Sequence, residues 1–146
     1  PVSIIDAVEH KRGLNARQRI AYRIIIDHFI QRFIIRNPEA LPLRMLMTGP
    51  GGTGKTYVVN SVKQVMKAYG SDHAMRYLAP TGSAAALIDG MTIHKGLGLK
   101  IENFSVLVSI QNLTKLRNEW KHVDILFIDE ASLLSAELLC EIDYAL

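Results

Sequence analysis

The plainest chemistry in this 146-residue sequence is Gly49-Pro50-Gly51-Gly52-Thr53-Gly54-Lys55-Thr56, which satisfies G-x-x-x-x-G-K-[ST] at each fixed position. Glycines without side chains let successive backbone N–H groups turn inward on a polyphosphate, and a helix starting at Lys55 adds its positive end. Lys55 offers a point charge to the β- and γ-phosphates, and the Thr56 hydroxyl is a hard oxygen ligand for Mg²⁺. Gly49, Gly51, Gly52, Thr53, Gly54, Lys55 and Thr56 are therefore the expected nucleotide-binding set. Gly49, Gly51 and Gly54 also spell G-x-G-x-x-G. That dinucleotide fingerprint wants an acidic residue after the second strand, where this chain has Leu78-Ala79-Pro80, and it has no use for Lys55-Thr56. A plain glycine turn capping a helix is disfavoured by the strand expected before it and the helix expected after it.

A second chemical signal is Ile125-Leu126-Phe127-Ile128-Asp129-Glu130, an apolar strand ending in two carboxylates. In a parallel sheet the C-terminal strand ends share one rim, so Asp129 is expected to face the Mg²⁺ held by Thr56. Glu130 is placed to orient or deprotonate an attacking water, which separates a nucleotide hydrolase from a binder. Two merely solvated carboxylates would be the ordinary reading of an isolated Asp-Glu pair.

These groups need elements to hold them. Apolar residues at Ile20, Ile24, Ile25, Phe29 and Phe33 predict a helix over residues 15–36, stopped by Asn37-Pro38. Residues 43–48 read as a buried strand running into the glycine loop. Val58, Val59, Val62, Val65 and Met66 mark a helix from Lys55 to Tyr69 closed by Gly70. A strand is expected over residues 75–79, then a helix from Pro80-Thr81 through Ile88 ended by Asp89-Gly90. Residues 91–110 read as loop, on Gly96 and Gly98. Leu113, Leu116 and Trp120 suggest a short helix, residues 123–128 a third strand, and residues 136–146 a final helix. Strands alternating with helices imply βαβ units on a parallel sheet.

Composition sets the outer limits. The chain is 49% hydrophobic and 21% charged, which excludes disorder and fits one domain burying roughly 70% of its unfolded surface. No apolar run approaches the roughly 20 residues that cross a bilayer, and no secretory signal is visible, so no membrane role is expected. Cys140 is the lone cysteine, excluding an internal disulfide and fitting a small buried hydrophobe on the last helix. Seventeen basic residues against 14 acidic ones give a charge of +3, which permits a nucleic-acid partner without demanding one. The basic run Lys11, Arg12, Arg17, Arg19, Arg23 reads first as a solvated helix face. Met45, Met47 and Trp120 are expected to be core or covering residues without chemistry.

Taken together, the sequence resembles the P-loop helicases of superfamily 1, and within them the Pif1-like DNA helicases, including the helicase domains of Helitron transposons. Four blocks carry the resemblance: Leu14-Asn15-Ala16-Arg17-Gln18, the glycine loop, Leu78-Ala79-Pro80-Thr81-Gly82-Ser83-Ala84-Ala85 with Gly90-Met91-Thr92-Ile93-His94, and Ile128-Asp129-Glu130-Ala131-Ser132. The resemblance implies an α/β fold, the RecA-like three-layer αβα arrangement of P-loop NTPases with a parallel sheet. It would be incomplete here, with residues 1–13 an extension and 14–146 a partial ATPase domain. It implies ATP and Mg²⁺ as cofactors, with Lys55, Asp129 and Glu130 catalytic and Thr56 and Asp129 on the metal. Thr81, Gly82, Ser83 and His94 would lie toward single-stranded DNA, although Thr81 is equally a helix N-cap and His94 alone is an ordinary packed histidine. Gln18 resembles the family's adenine-reading glutamine, yet Asn15-x-x-Gln18 is also a capping box.

The activity implied is an ATP-dependent 5′–3′ DNA helicase acting on single strands and duplex junctions as a monomer. Its setting would be nuclear, with the mitochondrion open, in repair, recombination or telomere maintenance. An ATPase module remodelling protein, or an inactive transposon-derived relic, are the other readings. The resemblance further implies a missing Gly-Asp-x-x-Gln strand between the loop strand and the acidic strand, and a missing arginine finger. The expected sheet therefore has strands over residues 43–48, 75–79 and 123–128 with an empty central slot, or with two of them pulled together in a non-family pairing. Exposed apolar edges, and weak nucleotide binding with negligible turnover by this chain alone, are expected as well.

Overall fold

The computed structural model describes residues 3–87, 89–99 and 110–146, with backbone only for 110–112. Ile88, where a helix end is expected, and residues 100–109 of the loop expected over residues 91–110 lie outside them. The chain forms two compact units, Pro1–Asp72 and His73–Leu146.

The first unit is helical. Helix α1 (Ile4–Arg12) starts where the Ser3 hydroxyl accepts from Asp6 N–H and ends at Gly13, whose left-handed backbone (φ 59°) returns its N–H to Glu9 and His10 carbonyls. Nothing in the periodicity had marked this helix within the expected extension, although its serine cap and glycine stop are ordinary signals. Helix α2 (Ala16–Phe29) buries Ala21, Tyr22, Ile25, Ile26 and Phe29 at helical spacing. Residues Ile30–Ile34 continue it as a wider π-type turn, where Ile35 N–H reaches the Ile30 carbonyl at 2.8 Å. The helical path thus ends within a residue or so of the expected Asn37-Pro38 stop, with Arg36 in the left-handed region.

Helix α3 (Lys55–Ala68) turns Val58, Val59, Val62, Val65 and Met66 inward, where they pack with α1 and α2. Tyr22, Ile26, Phe29, Val62, Val65 and Met66 are wholly buried. Burying each such side chain is worth about 1.5–3 kcal/mol, so this helical pairing is the main support of the loop that precedes α3. Tyr22 also donates its hydroxyl to the Ile5 carbonyl at 2.9 Å, tying α1 to α2. The basic run is not simply a solvated face: Arg23 pairs with Asp6 and Glu9, and Arg19 reaches Glu9 at 2.9 Å.

The expected strand over residues 43–48 does not form. Leu43, Met45 and Leu46 are exposed, so Met45 covers no core. A strand exists only as a member of a ladder, and no strand is present in this unit among the described residues.

The second unit carries a parallel sheet of order β2-β1-β3, built from β1 (Met75–Ala79), β2 (Met91–Thr92) and β3 (Ile125–Ile128). Met75 stands opposite Ile125, Leu78 opposite both Ile128 and Met91, and Ala79 opposite Thr92. On one face Tyr77 and Phe127 stack with centroids 5.9 Å apart. On the other Leu78 joins Ile93, Leu97 and Ile142 in a core lapped by Trp120, Leu126, Ile128, Leu134 and Leu138. Around the sheet run α4 (Gly82–Ala86), α5 (Ile93–Leu97), α6 (Ile110–Trp120) and α7 (Ala136–Ala145).

Two expectations need correcting here. Residues 91–98 are not loop: β2 and α5 occupy them, with Gly96 inside α5 and Gly98 (φ 64°) ending it. Gly96 is needed for closeness, since a Cβ there would meet Leu78 Cδ2 at 2.5 Å, while its carbonyl accepts the Trp120 indole N–H at 2.8 Å. Cys140 is exposed, not buried. The inward stripe of α7 is Leu138 and Ile142, and Cys140 falls roughly 200° around the helix from Ile142.

Candidate nucleotide site

Residues 49–56 form a tight loop leading straight into α3. Gly52 and Gly54 have φ of 77° and 81°, a region that L side chains enter only with strain. Thr53 folds back so that its hydroxyl donates to the Pro50 carbonyl at 2.8 Å, and a Cβ at Gly49 would lie 2.9 Å from Thr53 Oγ1. Lys55 Nζ spans the loop, donating to the Gly49 carbonyl at 2.8 Å and the Pro50 carbonyl at 3.1 Å. Gly54 caps α3 without a side chain, and no carboxylate sits in the first turn. The positive end of α3 thus has no anion of its own to balance it. The loop offers N–H groups, an ammonium and the half-buried Thr56 hydroxyl, a donor set that suits polyphosphate with a hard cation.

Gln18 resolves one of the open choices in an unexpected way. Its Oε1 accepts from Asn15 N–H at 3.1 Å while Asn15 Oδ1 accepts from Gln18 N–H at 3.0 Å, so the capping box is formed. The same amide donates through Nε2 to the Thr53 carbonyl at 3.2 Å. A Cβ at Gly54 would run into that Nε2. Gln18 is therefore brought to the loop's edge by the start of α2, and the capping and loop-facing roles are carried by opposite ends of one amide. Tyr57, which the motif reading passed over, adjoins the same spot: its Cβ lies 3.6 Å from the position of a Cβ at Gly54.

The remaining candidates sit in the second unit and share one rim. Thr81 follows the C-terminal end of β1, His94 that of β2 and Asp129 that of β3, and the three strands are parallel. Asp129 N–H donates to the Leu78 carbonyl at 2.8 Å, extending the ladder by one bond. Glu130 then adopts left-handed backbone (φ 50°, ψ 42°), and its N–H donates to Asp129 Oδ1 at 2.9 Å. Thr81 acts as the N-cap of α4, accepting from Ala84 N–H at 3.3 Å, with the Ser83 hydroxyl 3.3 Å away. Gly82 opens α4 with nothing near its missing side chain. His94 is half-buried in α5, whose cap is the Thr92 hydroxyl on Lys95 N–H. Gln18 and residues 49–56 lie in the first unit, and Thr81, Gly82, Ser83, His94, Asp129 and Glu130 in the second.

Helices around a small parallel sheet, with a glycine loop opening a helix, define an incomplete RecA-like P-loop fold. The sequence profile of the PIF1-like helicases matches residues 13–146, so the chain belongs to that family. It is 34% identical over 100 residues to the ATP-dependent DNA helicase PIF1 of Saccharomyces cerevisiae, covering 66% of this chain and 12% of that protein. It is 33% identical over 132 residues to the Emericella nidulans PIF1 helicase, covering 87% and 17%. With the Candida albicans PIF1 helicase the identity is 31% over 140 residues, covering 90% and 15%. The chain thus spans 12–17% of these relatives' length. No solved structure matches it.

Proposed function

We propose that this chain is the nucleotide-binding segment of an ATP-dependent DNA helicase of the Pif1 type, moving 5′ to 3′ on single strands in the nucleus. The observation that carries the reading is the loop of residues 49–56. Its two left-handed glycines, ammonium and hydroxyl stand at an uncompensated helix start, in a chain of the PIF1-like helicase family.

Bound ATP with Mg²⁺ would supply the phosphoanhydride whose cleavage drives movement. Lys55 holds two loop carbonyls through neutral-acceptor bonds, and phosphate oxygens are stronger partners for the same ammonium. Thr56 and Asp129 are assigned to the metal, and Glu130 to orienting or deprotonating water. Gln18 is assigned to adenine, which its amide reads by giving up one or both of its internal bonds. Thr81, Gly82, Ser83 and His94 are assigned to the single strand. The Thr81 hydroxyl accepts the cap bond and lies 3.3 Å from Ser83 Oγ, so the O–H groups of this pair are the donors a phosphate oxygen would take.

The test measures binding of a fluorescent ATP analogue with Mg²⁺ to this chain and to Lys55→Ala. It adds ATP turnover of the longer protein with and without single-stranded DNA. Loss of binding in Lys55→Ala and DNA-stimulated turnover are expected. Turnover indifferent to single strands would overturn the helicase assignment. Substituting Thr81, Ser83 and His94 by alanine is expected to weaken DNA binding and spare nucleotide binding; unchanged DNA affinity would point to a protein-remodelling ATPase instead.

A further inference from the structure

The residues that flank Lys55 and Thr56 are gripped from outside their own helix, and both grips come from the corner between α1 and α2. On one side Gln18 holds the Thr53 carbonyl. On the other, the Arg12 guanidinium lies 3.7 Å from the centroid of the Tyr57 ring, and its Nε donates to Ser61 Oγ at 3.2 Å. The ring answers: Tyr57 donates its hydroxyl to the Arg12 carbonyl at 2.7 Å, satisfying an acceptor that the end of α1 leaves open. Ser61 is wholly buried and donates its own hydroxyl to the Tyr57 carbonyl at 2.8 Å, so the contact closes on itself. The approach of Arg12 Nη2 to that carbonyl, at 3.5 Å, is too long to add much.

Gly13 makes the double grip possible. Its left-handed backbone turns the chain sharply enough that Arg12 and Gln18 reach either side of the same helix start. With no side-chain cap on α3, this pair of polar contacts adds to the packing of Val58 and Val59 in fixing its first turn from outside.

From this geometry we propose that Arg12 is a positioning residue for nucleotide binding, acting through Tyr57 to hold the first turn of α3 where Lys55 and Thr56 meet the phosphates and metal. The inference rests on the nucleotide-binding reading above and extends it to a residue just outside the matched segment, on a helix that the sequence marked only as an extension. A guanidinium stacked on an aromatic ring and donating in its plane is not replaced by an ammonium, which offers charge without a planar fork.

The experiment measures affinity for a fluorescent ATP analogue with Mg²⁺, at a temperature below every melting point, alongside thermal melts of the same samples. The proteins are the unsubstituted chain, Arg12→Ala, Arg12→Lys, Tyr57→Phe and Arg23→Ala. Arg23 joins α1 to α2 through Asp6 and Glu9 and has no hydrogen bond or ion pair to α3 among the described residues, so its loss reports loosening of α1. Expected are a roughly tenfold weaker affinity in Arg12→Ala, no rescue by Arg12→Lys, and a smaller loss in Tyr57→Phe. Arg23→Ala is expected to melt earlier with unchanged affinity. An Arg12→Ala protein that melts earlier but binds within twofold of the unsubstituted chain overturns the proposal, as does equal weakening in Arg23→Ala. Failure of the unsubstituted chain to bind overturns the nucleotide reading, and the positioning role with it.

Discussion

Replacing Gly54 by alanine tests whether the loop and the start of α2 are built as one piece. Gly54 sits at φ 81°, ψ 29°, where an alanine costs about 1–2 kcal/mol in backbone strain. Its new Cβ would also collide with Gln18 Nε2, so the Gln18–Thr53 bond breaks, a further loss of about 0.5–1.5 kcal/mol. Together Gly54→Ala should destabilise the first unit by about 1.5–3.5 kcal/mol. Gln18→Ala alone removes the capping partner and the loop bond, costing about 0.5–2 kcal/mol. In the double variant there is no amide left to strike, and only the strain remains. The two substitutions should therefore fall short of additivity by about 0.5–1.5 kcal/mol in urea unfolding followed by far-ultraviolet circular dichroism. Additivity to within about 0.3 kcal/mol would refute the contact, and with it the claim that Gly54 is glycine for reasons of space as well as φ.

Other consequences are direct. Tyr22 is buried, and its hydroxyl is pushed up to about 12 from its ordinary 10.0, chiefly by burial. The unfolded chain ionises first, so stability should fall as pH rises from about 10 through 12. Tyr22→Phe should lose about 1 kcal/mol at neutral pH, with the bond to Ile5, and flatten that alkaline fall; an unchanged slope in denaturant titrations across this range would count against it. Trp120→Phe should cost about 1–3 kcal/mol, leaving the Gly96 carbonyl without its indole donor, and Gly96→Ala about 1–3 kcal/mol by crowding Leu78, both read as midpoint shifts for the second unit. Glu130→Gly should relieve left-handed strain and raise stability by roughly 0.5–1 kcal/mol while abolishing turnover in the longer protein; a destabilised variant would mean that the backbone there is not strained.

What could be read from the sequence was what short-range order decides. Met75–Ala79, a mostly apolar run broken only by Arg76, formed with the expected bounds, and the valine stripe of α3 with its Gly70 stop was equally local. Residues 43–48 have as strong an apolar run, yet stay unpaired and exposed, because strand formation depends on a neighbour that no local pattern reports. β3 begins two residues late because Val123 N–H is taken by the Trp120 carbonyl in the turn that precedes it. α5 was hidden by a glycine that propensity counts against a helix, but that close packing on Leu78 requires. The loop residues were legible because their chemistry is written in types and spacing. The Gln18–Thr53 and Arg12–Tyr57 contacts were not, since each joins residues 35 and 45 positions apart.

The acidic rim shows how the fold fixes one oxygen of a carboxylate. Parallel pairing brings the C-terminal ends of β1 and β3 level, so the chain leaves both strands on the same side. At that exit Asp129 still spends its N–H on the ladder, while the left-handed turn at Glu130 swings the next N–H onto Asp129 Oδ1. One oxygen of Asp129 is thereby held by its own neighbour, and the other has no hydrogen-bond partner among the described residues. A carboxylate fixed through one oxygen presents the second in a set direction, which suits the metal role proposed for Asp129. The strain at Glu130 is thus tied to the orientation of Asp129. A glycine at position 130 could keep that turn and that bond at lower backbone cost, which is why Glu130→Gly separates the fold from the water-orienting role proposed for the carboxylate.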